Sequence, residues 1–257
     1  MAATERNTQS QVAPATDRRA LRWAGLVFAL GFPTLITWGY FVFAGRYSMG
    51  VQQTVYLTVK VIQFAFPAAW TLLVLREPLR TARPTVKGLA LGAAFSIVVV
   101  GAGMLVFQYA LRELPIFTKA AELIEKKITG FGITTAGAYF LLGGFYSLFH
   151  SLLEEYYWRW FVFQQLKKLT SLWPAIAISA IGFALHHVVV LSMFFRGLPW
   201  LVAAFAAATA IGGAFWAWLY NRSGSIYDTW LSHLLIDAGL FFGIGYQMVQ
   251  HMFEAAG

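Results

Sequence analysis

Cysteine is absent from the 257-residue chain. That excludes disulfides, a thiolate nucleophile and thiolate metal sites together, so any metal would need histidine and carboxylate ligands. Charge is scarce too: 12% of residues are Asp, Glu, Lys or Arg and 59% are hydrophobic, where a soluble domain has about 25% charged and about 45–50% apolar. A soluble fold cannot hide that much apolar surface, and the mean hydropathy of +0.63 agrees. The roughly ten-residue apolar–polar alternations of a membrane β-barrel are missing. So is a basic helix or stripe: the net charge of +8 comes from Lys and Arg placed mainly between apolar runs, which argues against nucleic acid as a partner. No internal repeat of the inverted-repeat transporter kind is present. The first apolar run is longer than the about 7–15 residues of a secretory signal and reads as a retained anchor.

What is present is a series of continuous apolar runs rich in Leu, Ala, Phe and Gly, several as long as the roughly 20 residues that cross a hydrocarbon core. They predict an all-α, polytopic transmembrane bundle. Spans fall at approximately 22–44, 52–75, 87–110, 133–166, 172–193, 198–220 and 226–250, seven in all, or eight if the fourth breaks at Gly143-Gly144. Residues 1–20 are polar and aperiodic and read as a mobile tail; 21–129 hold the first spans, and 130–257 form the core with the chemistry. Between the third and fourth spans, Leu114, Phe117, Ala121 and Leu123 recur near helical spacing with Glu122, Glu125, Lys126 and Lys127 on other faces, which predicts an interfacial helix. A cytoplasmic N-terminus puts about eleven Lys and Arg inside and about six outside, the orientation that basic loops favour. The expectation is an integral protein of a plasma or inner membrane, in contact with lipid.

A charged side chain at the bilayer centre costs at least about 2.5–3.5 kcal/mol, so ionisable residues inside spans are functional candidates. The fourth span carries His150, Glu154, Glu155 and Arg159, the fifth His186 and His187, and the seventh His233 and Asp237. Lys60 in the second stands apart. Residues four apart share a helix face, which pairs Glu155 with Arg159 and leaves Glu154, about 100° round the axis, to meet a different neighbour. The same rule puts Asp237 where it can orient His233, and His150 where it can either bond a neighbouring helix or tune Glu154. At 1.5 Å per residue, Glu154 lies about 20 Å, His187 about 21 Å and His233 about 10 Å from the cytoplasmic ends of their helices. A carboxylate and two imidazoles can therefore surround one water and activate it by general base catalysis. The same groups, Glu154, His187 and His233, also suit a zinc site with an open water position. Tyr156, Tyr157, Trp158 and Trp160 read as an interfacial belt or as helix packing, and Phe183 as packing.

The runs EEYYWR at 154–159, FALHH at 183–187 and HLLID at 233–237 resemble the EExxxR, FxxxH and HxxxN/D motifs of the CPBP family, which groups CAAX prenyl endopeptidases with bacteriocin-processing and immunity proteins. The resemblance covers roughly residues 130–250. It implies an intramembrane endopeptidase that hydrolyses a membrane-associated or lipidated peptide or protein. Glu154 would activate water, His187 would help hold or deprotonate it, and His233 with Asp237 would position water or stabilise the oxyanion. Glu155 and Arg159 would be architectural, with His150, His186 and Phe183 around the site. Members have been described as glutamate-dependent and as metalloproteases; the glutamate reading needs no cofactor, and zinc is the alternative. An immunity or binding protein that retains the pocket, and a proton-coupled transporter, are the competing functions.

Overall fold

The computed structural model describes residues 15–43 and 46–254, all helix and connecting turns with no strand among them. Helix α1 is Ala15–Phe43. It starts inside the stretch expected as a tail, so residues 15–20 are helical, and the rest of that expectation, residues 1–14, lies outside the described residues. Next come α2, Met49–Ala69 with a π-helical end Trp70–Val74, and α3, Val86–Val106 with a π end Phe107–Leu111. The short α4 is Pro115–Gly130. Then follow α5, Ala136–Lys167, α6, Leu172–Phe194, and α7, Pro199–Ser223. Helix α8 runs over 226–249 with a π stretch at Gly239–Gly245.

Six of these helices, α1, α2, α3, α5, α6 and α7, are long and apolar enough to cross a membrane, where the sequence predicts seven spans. The difference is α8, whose first half spends its positions on Asp228, Thr229, Ser232, His233 and Asp237. The protein is an integral membrane protein built as a helical bundle. Its outer faces are apolar and bare: Leu73, Ile97, Leu141 and Ile211 are 75%, 71%, 78% and 65% exposed. In lipid such surface costs nothing, because the surroundings are as apolar as the side chains.

The fourth span does not break into two, and α5 is continuous through Gly143-Gly144. Gly143 serves close packing instead: a Cβ there would lie 2.7 Å from the ring of Phe242 on α8. The departures from α geometry come later, as π stretches at Tyr146–His150 and Tyr156–Phe163 that flank the five-residue α segment Ser151–Glu155.

Helix α5 forms the middle of the core. Tyr157, Trp158, Phe161, Val162, Phe163 and Leu166 are all at most 1% exposed and pack with Leu26 and Ala29 of α1, Phe183 of α6 and Trp216 and Tyr220 of α7. Tyr157 and Trp158 are thus core residues rather than belt residues. The Tyr157 hydroxyl donates to the carbonyl of Ala29 at 2.8 Å, satisfying the one polar atom a buried tyrosine brings.

Polar contacts at the two ends fix the direction of each helix. At one end Glu77, just past α2, bonds Arg22 of α1, and Lys168, just past α5, reaches Glu77 at 2.8 Å. There too Asp228 of α8 accepts the Thr85 N–H and hydroxyl, both at 2.9 Å, clamping the start of α8 to the N-terminus of α3. At the other end Lys127 of α4 donates to Tyr40 of α1 at 2.8 Å. Successive long helices therefore alternate in direction, and α4 lies across the end opposite the Glu77 cluster.

Candidate active site

Glu154 and Glu155 leave α5 on different sides, as the 100° step per residue requires. Glu154 is 4% exposed and lies among three imidazoles. Its Oε1 is 3.4 Å from His186 Nε2, and its Oε2 is 3.7 Å from His233 Nε2 and 4.0 Å from His150 Nδ1. The (i, i+4) relation of His150 to Glu154 thus becomes a contact.

His187 does not reach Glu154 within 4.0 Å. Its Nδ1–H donates to the carbonyl of Phe183 at 3.0 Å, one turn back, and its ring packs on His186 with centroids 4.1 Å apart. His186, expected around the site, is the residue that meets the carboxylate. The reason is rotational: the buried stripe of α6, through Ser179, Phe183 and His186, faces α5, and the back-bond to Phe183 holds the His187 ring along the helix. His186 is further fixed by parallel stacking on Trp158, 5.9 Å between centroids at 6°.

Glu155 is fully buried and does two jobs. Its Oε2 is 3.2 Å from Arg159 Nε, the expected (i, i+4) pair, and its Oε1 accepts the Nδ1–H of His233 at 2.8 Å. Glu155 thus holds the Nδ1 side of His233, and Asp237, expected to orient the ring, meets it on the other side. Asp237 Oδ1 lies 3.7 Å from Nε2, the same nitrogen that faces Glu154. The carboxylate that fixes the imidazole comes from across the bundle, and the one on its own helix shares the working face. With Nδ1–H committed to Glu155, Nε2 is an acceptor in the neutral ring and a donor in the charged one.

Arg159 lies in the π stretch, whose wider turn shifts it round the axis. Its guanidinium meets Glu155 off the hydrogen-bond direction, and none of its nitrogens has a hydrogen-bond partner among the described residues. It is held by aromatic faces instead, 4.8 Å from the Phe183 centroid and 4.9 Å from that of Trp216. Phe183 also packs against His187 at 4.8 Å and His233 at 5.9 Å, so it is packing at the centre of the site.

Trp216 of α7 does not stand out in the sequence, because tryptophan in an apolar run reads as core or belt. Its ring stacks on His233, centroids 4.2 Å apart at 21°. Its Nε1–H donates to Ser232 Oγ at 3.0 Å, which lies 2.9 Å from Ser96 Oγ of α3. Gly213 lets α7 come this close: a Cβ there would be 3.2 Å from the ring of Phe183 and 3.3 Å from Ala180 Cα. The one sequence signal was the indole N–H itself, a donor that a membrane interior obliges to find a partner.

Residues 136–239 match the family model Type II CAAX prenyl endopeptidase Rce1-like. That bears out the resemblance to the CPBP family. The match starts with α5, ends just beyond Asp237 and holds all three motifs; α1 to α4 lie outside it. At the level of this family the activity is that of a CAAX-type endopeptidase, with a peptide or protein as substrate. Among curated proteins and solved structures nothing matches the chain.

The donors at the site, imidazoles and carboxylates, are of the kind zinc takes. Among the described residues, however, no group of three or more His, Asp or Glu side chains is arranged to hold a metal ion. In particular Glu154, His187 and His233 do not gather, since His187 is turned to its own helix. The donors that do converge are Glu154, His186 and His233, and no step below is routed through a metal.

Proposed function

We propose that the protein is an intramembrane endopeptidase in which Glu154 is the general base. The observation that carries this reading is the Glu154 carboxylate, buried and within 4.0 Å of three imidazoles, inside the stretch that matches the endopeptidase family. Separations of 3.4–3.7 Å to His186 and His233 exceed a direct hydrogen bond and leave these groups able to converge on one water bound at the edge of the cluster. Glu154 takes a proton from that water, and its oxygen bonds to the carbonyl carbon of the peptide. The carbonyl oxygen becomes an oxyanion, to which a protonated His233 donates from Nε2 while Glu155 holds Nδ1–H. Glu154 then passes its proton to the leaving amine as the C–N bond breaks. Pre-placed donors in a dry site are worth far more than in water, about 10²–10³ in kcat for one donor.

His186 holds Glu154, and His187, at the motif position, supports it by packing against the His186 ring. Asp237 shares the Nε2 side of His233 and shapes the water position. The bundle's orientation follows the basic residues, with the Glu77 end cytoplasmic. The test is turnover of a peptide and lipopeptide library by the purified protein in detergent, with and without a chelator. Wild type cleaves and Glu154→Gln stays folded but does not. Undiminished cleavage by Glu154→Gln would remove the assignment, and loss of wild-type cleavage with chelator would replace the metal-free mechanism.

A further inference from the structure

At the Glu77 end, between α2 and α5, the fold leaves a cavity of about 350 Å³ that the chemistry above does not use. We infer that it binds the phosphate headgroup of an anionic phospholipid from the leaflet at that end. The site goes beyond the peptidase reading and does not depend on it.

The cavity is preformed. After α2 the chain turns at Arg76, whose φ of 53° is left-handed, and the segment that follows is pinned across the end of the bundle. The Glu77 N–H donates to the Thr71 carbonyl at 2.9 Å, and the Ala82 N–H to that of Gly224 at 3.2 Å. The Trp160 indole N–H donates to the Arg80 carbonyl at 2.7 Å. Beyond them Thr85 is held by Asp228.

The polar groups left unspent on the cavity's walls are mainly donors. Gln165 is 4% exposed, and its Oε1 accepts from Arg22, which leaves its amide N–H groups without a partner among the described residues. The hydroxyl of Thr71, 3% exposed, has none either. Lys168 gives Glu77 one of the three donors of an ammonium, at 2.8 Å, and Arg80 meets no carboxylate within 4.0 Å among the described residues. The wall's one carboxylate is not open to a cationic ligand, because Arg22 takes Glu77 Oε1 and Lys168 takes Oε2. An amide, a hydroxyl, an ammonium and a guanidinium around one space suit an anion with several acceptor oxygens, which phosphate is. Gln164 is tied through its amide N–H to the Tyr220 hydroxyl at 3.0 Å, so its Oε1 remains to accept from a headgroup hydroxyl.

The surroundings favour a lipid over a free phosphate. Leu72 and Leu73, next to Thr71, are exposed on a membrane helix, and so is Leu79 beside Arg80, so acyl chains find apolar surface next to the cavity. Seven positions separate Trp160 from the α5 end at Lys167, about 10 Å. That is where a tryptophan marks the headgroup level, and basic pockets between helices at that level take anionic headgroups.

The test titrates dioleoyl phosphatidylglycerol into the purified full-length protein in detergent micelles, with phosphatidylcholine of the same chains and inorganic phosphate as parallel arms. Phosphatidylglycerol should bind saturably, as one equivalent retained in native mass spectrometry, and raise Tm; the other two arms should do neither. Arg80→Gln and Thr71→Val should each weaken Kd by at least about tenfold, the loss expected for one hydrogen bond to a charged group. Thr71→Ser keeps the hydroxyl and should bind as wild type does. So should Arg83→Gln, which removes a charge from the same segment but outside the cavity. Equal binding of phosphatidylcholine, an equal effect of inorganic phosphate, or equal losses from Arg83→Gln and Arg80→Gln would overturn the lipid site. If Thr71→Val is unstable without lipid, the comparison of Arg80→Gln with Arg83→Gln, both at exposed positions, decides alone.

Discussion

Glu155 is the residue at which stability and catalysis are most tightly joined, and the two can be separated. Its carboxylate compensates Arg159, 1% exposed, and accepts the Nδ1–H of His233 at 2.8 Å. Removing one partner of a buried ion pair costs about 3–5 kcal/mol, because the other charge is left without compensation. Glu155→Gln should therefore destabilise by about that amount, a fall of roughly 6–20 °C in Tm for a chain of this size. Glutamine still offers an oxygen to His233, so most of the loss belongs to Arg159. Glu155→Gln combined with Arg159→Met removes both charges, and stability should return to within about 1–2 kcal/mol of wild type. Activity should return in part, since the imidazole is still held. Glu155→Ala with Arg159→Met also removes both charges but leaves His233 without its acceptor, and its kcat should stay at least about 10²-fold down. Thermal unfolding in detergent micelles and kcat on a cleaved peptide are the readouts. Additive destabilisation in the double variants would refute the charge argument. Equal kcat for the Gln and Ala double variants would refute the orienting role.

Three further outcomes follow from the same geometry. His186→Ala should lower kcat by about 10²-fold, and His187→Ala by less than about tenfold; the reverse order would give the contact with Glu154 to the motif histidine. Trp216→Phe keeps an aromatic face on His233 and loses one hydrogen bond, about 1 kcal/mol, so kcat should fall by less than about tenfold. Trp216→Ala should lower kcat more than it changes KM, and equal kcat for the two variants would show that the stack positions nothing. For Glu77, burial pushes the carboxyl up, but the hydrogen bonds and charges of Arg22 and Lys168 outweigh it and hold the group below its ordinary value of 4.5. A depressed folded value gives stability that is fully present above the ordinary value and lost as pH falls through the folded one. The Tm gap between wild type and Glu77→Gln should hold at pH 7 and close on acidification below about 4.5, and a gap that widened there would contradict the sign.

The sequence made the long apolar helices legible because lipid demands them, and it made Glu155–Arg159 legible because four residues on one helix are always neighbours. It also flagged every ionisable group of the site, since none belongs in hydrocarbon. What it could not convey is rotation. His186 and His187 differ by one 100° step, and the choice between them depends on how α6 sits against α5 and on the bond from His187 to Phe183. The same holds for Asp237: helical spacing put it beside His233 but could not say which ring nitrogen it would meet. Trp216 stayed hidden because its role depends on Ser232 and Ser96, contributed by two other helices.

Helix α8 shows why the chemistry and the membrane signature conflict. By composition it is the long helix that does not qualify as a span, and the residues that disqualify it are bound one by one inside the bundle. Asp228 accepts twice from Thr85, Thr229 donates to the Ile226 carbonyl at 2.9 Å, Ser232 meets Ser96 and Trp216, and His233 meets Glu155. A polar group in hydrocarbon without a partner costs several kcal/mol, so this helix is stable only where α3, α5 and α7 already stand around it. The exception is Asp237, 20% exposed along its side chain and 3.7 Å from the nearest imidazole nitrogen, a separation too long for a direct hydrogen bond. The least satisfied carboxylate on the most dependent helix faces the same nitrogen as Glu154. That is where a water and a peptide carbonyl would find hydrogen-bonding capacity the fold has not already used.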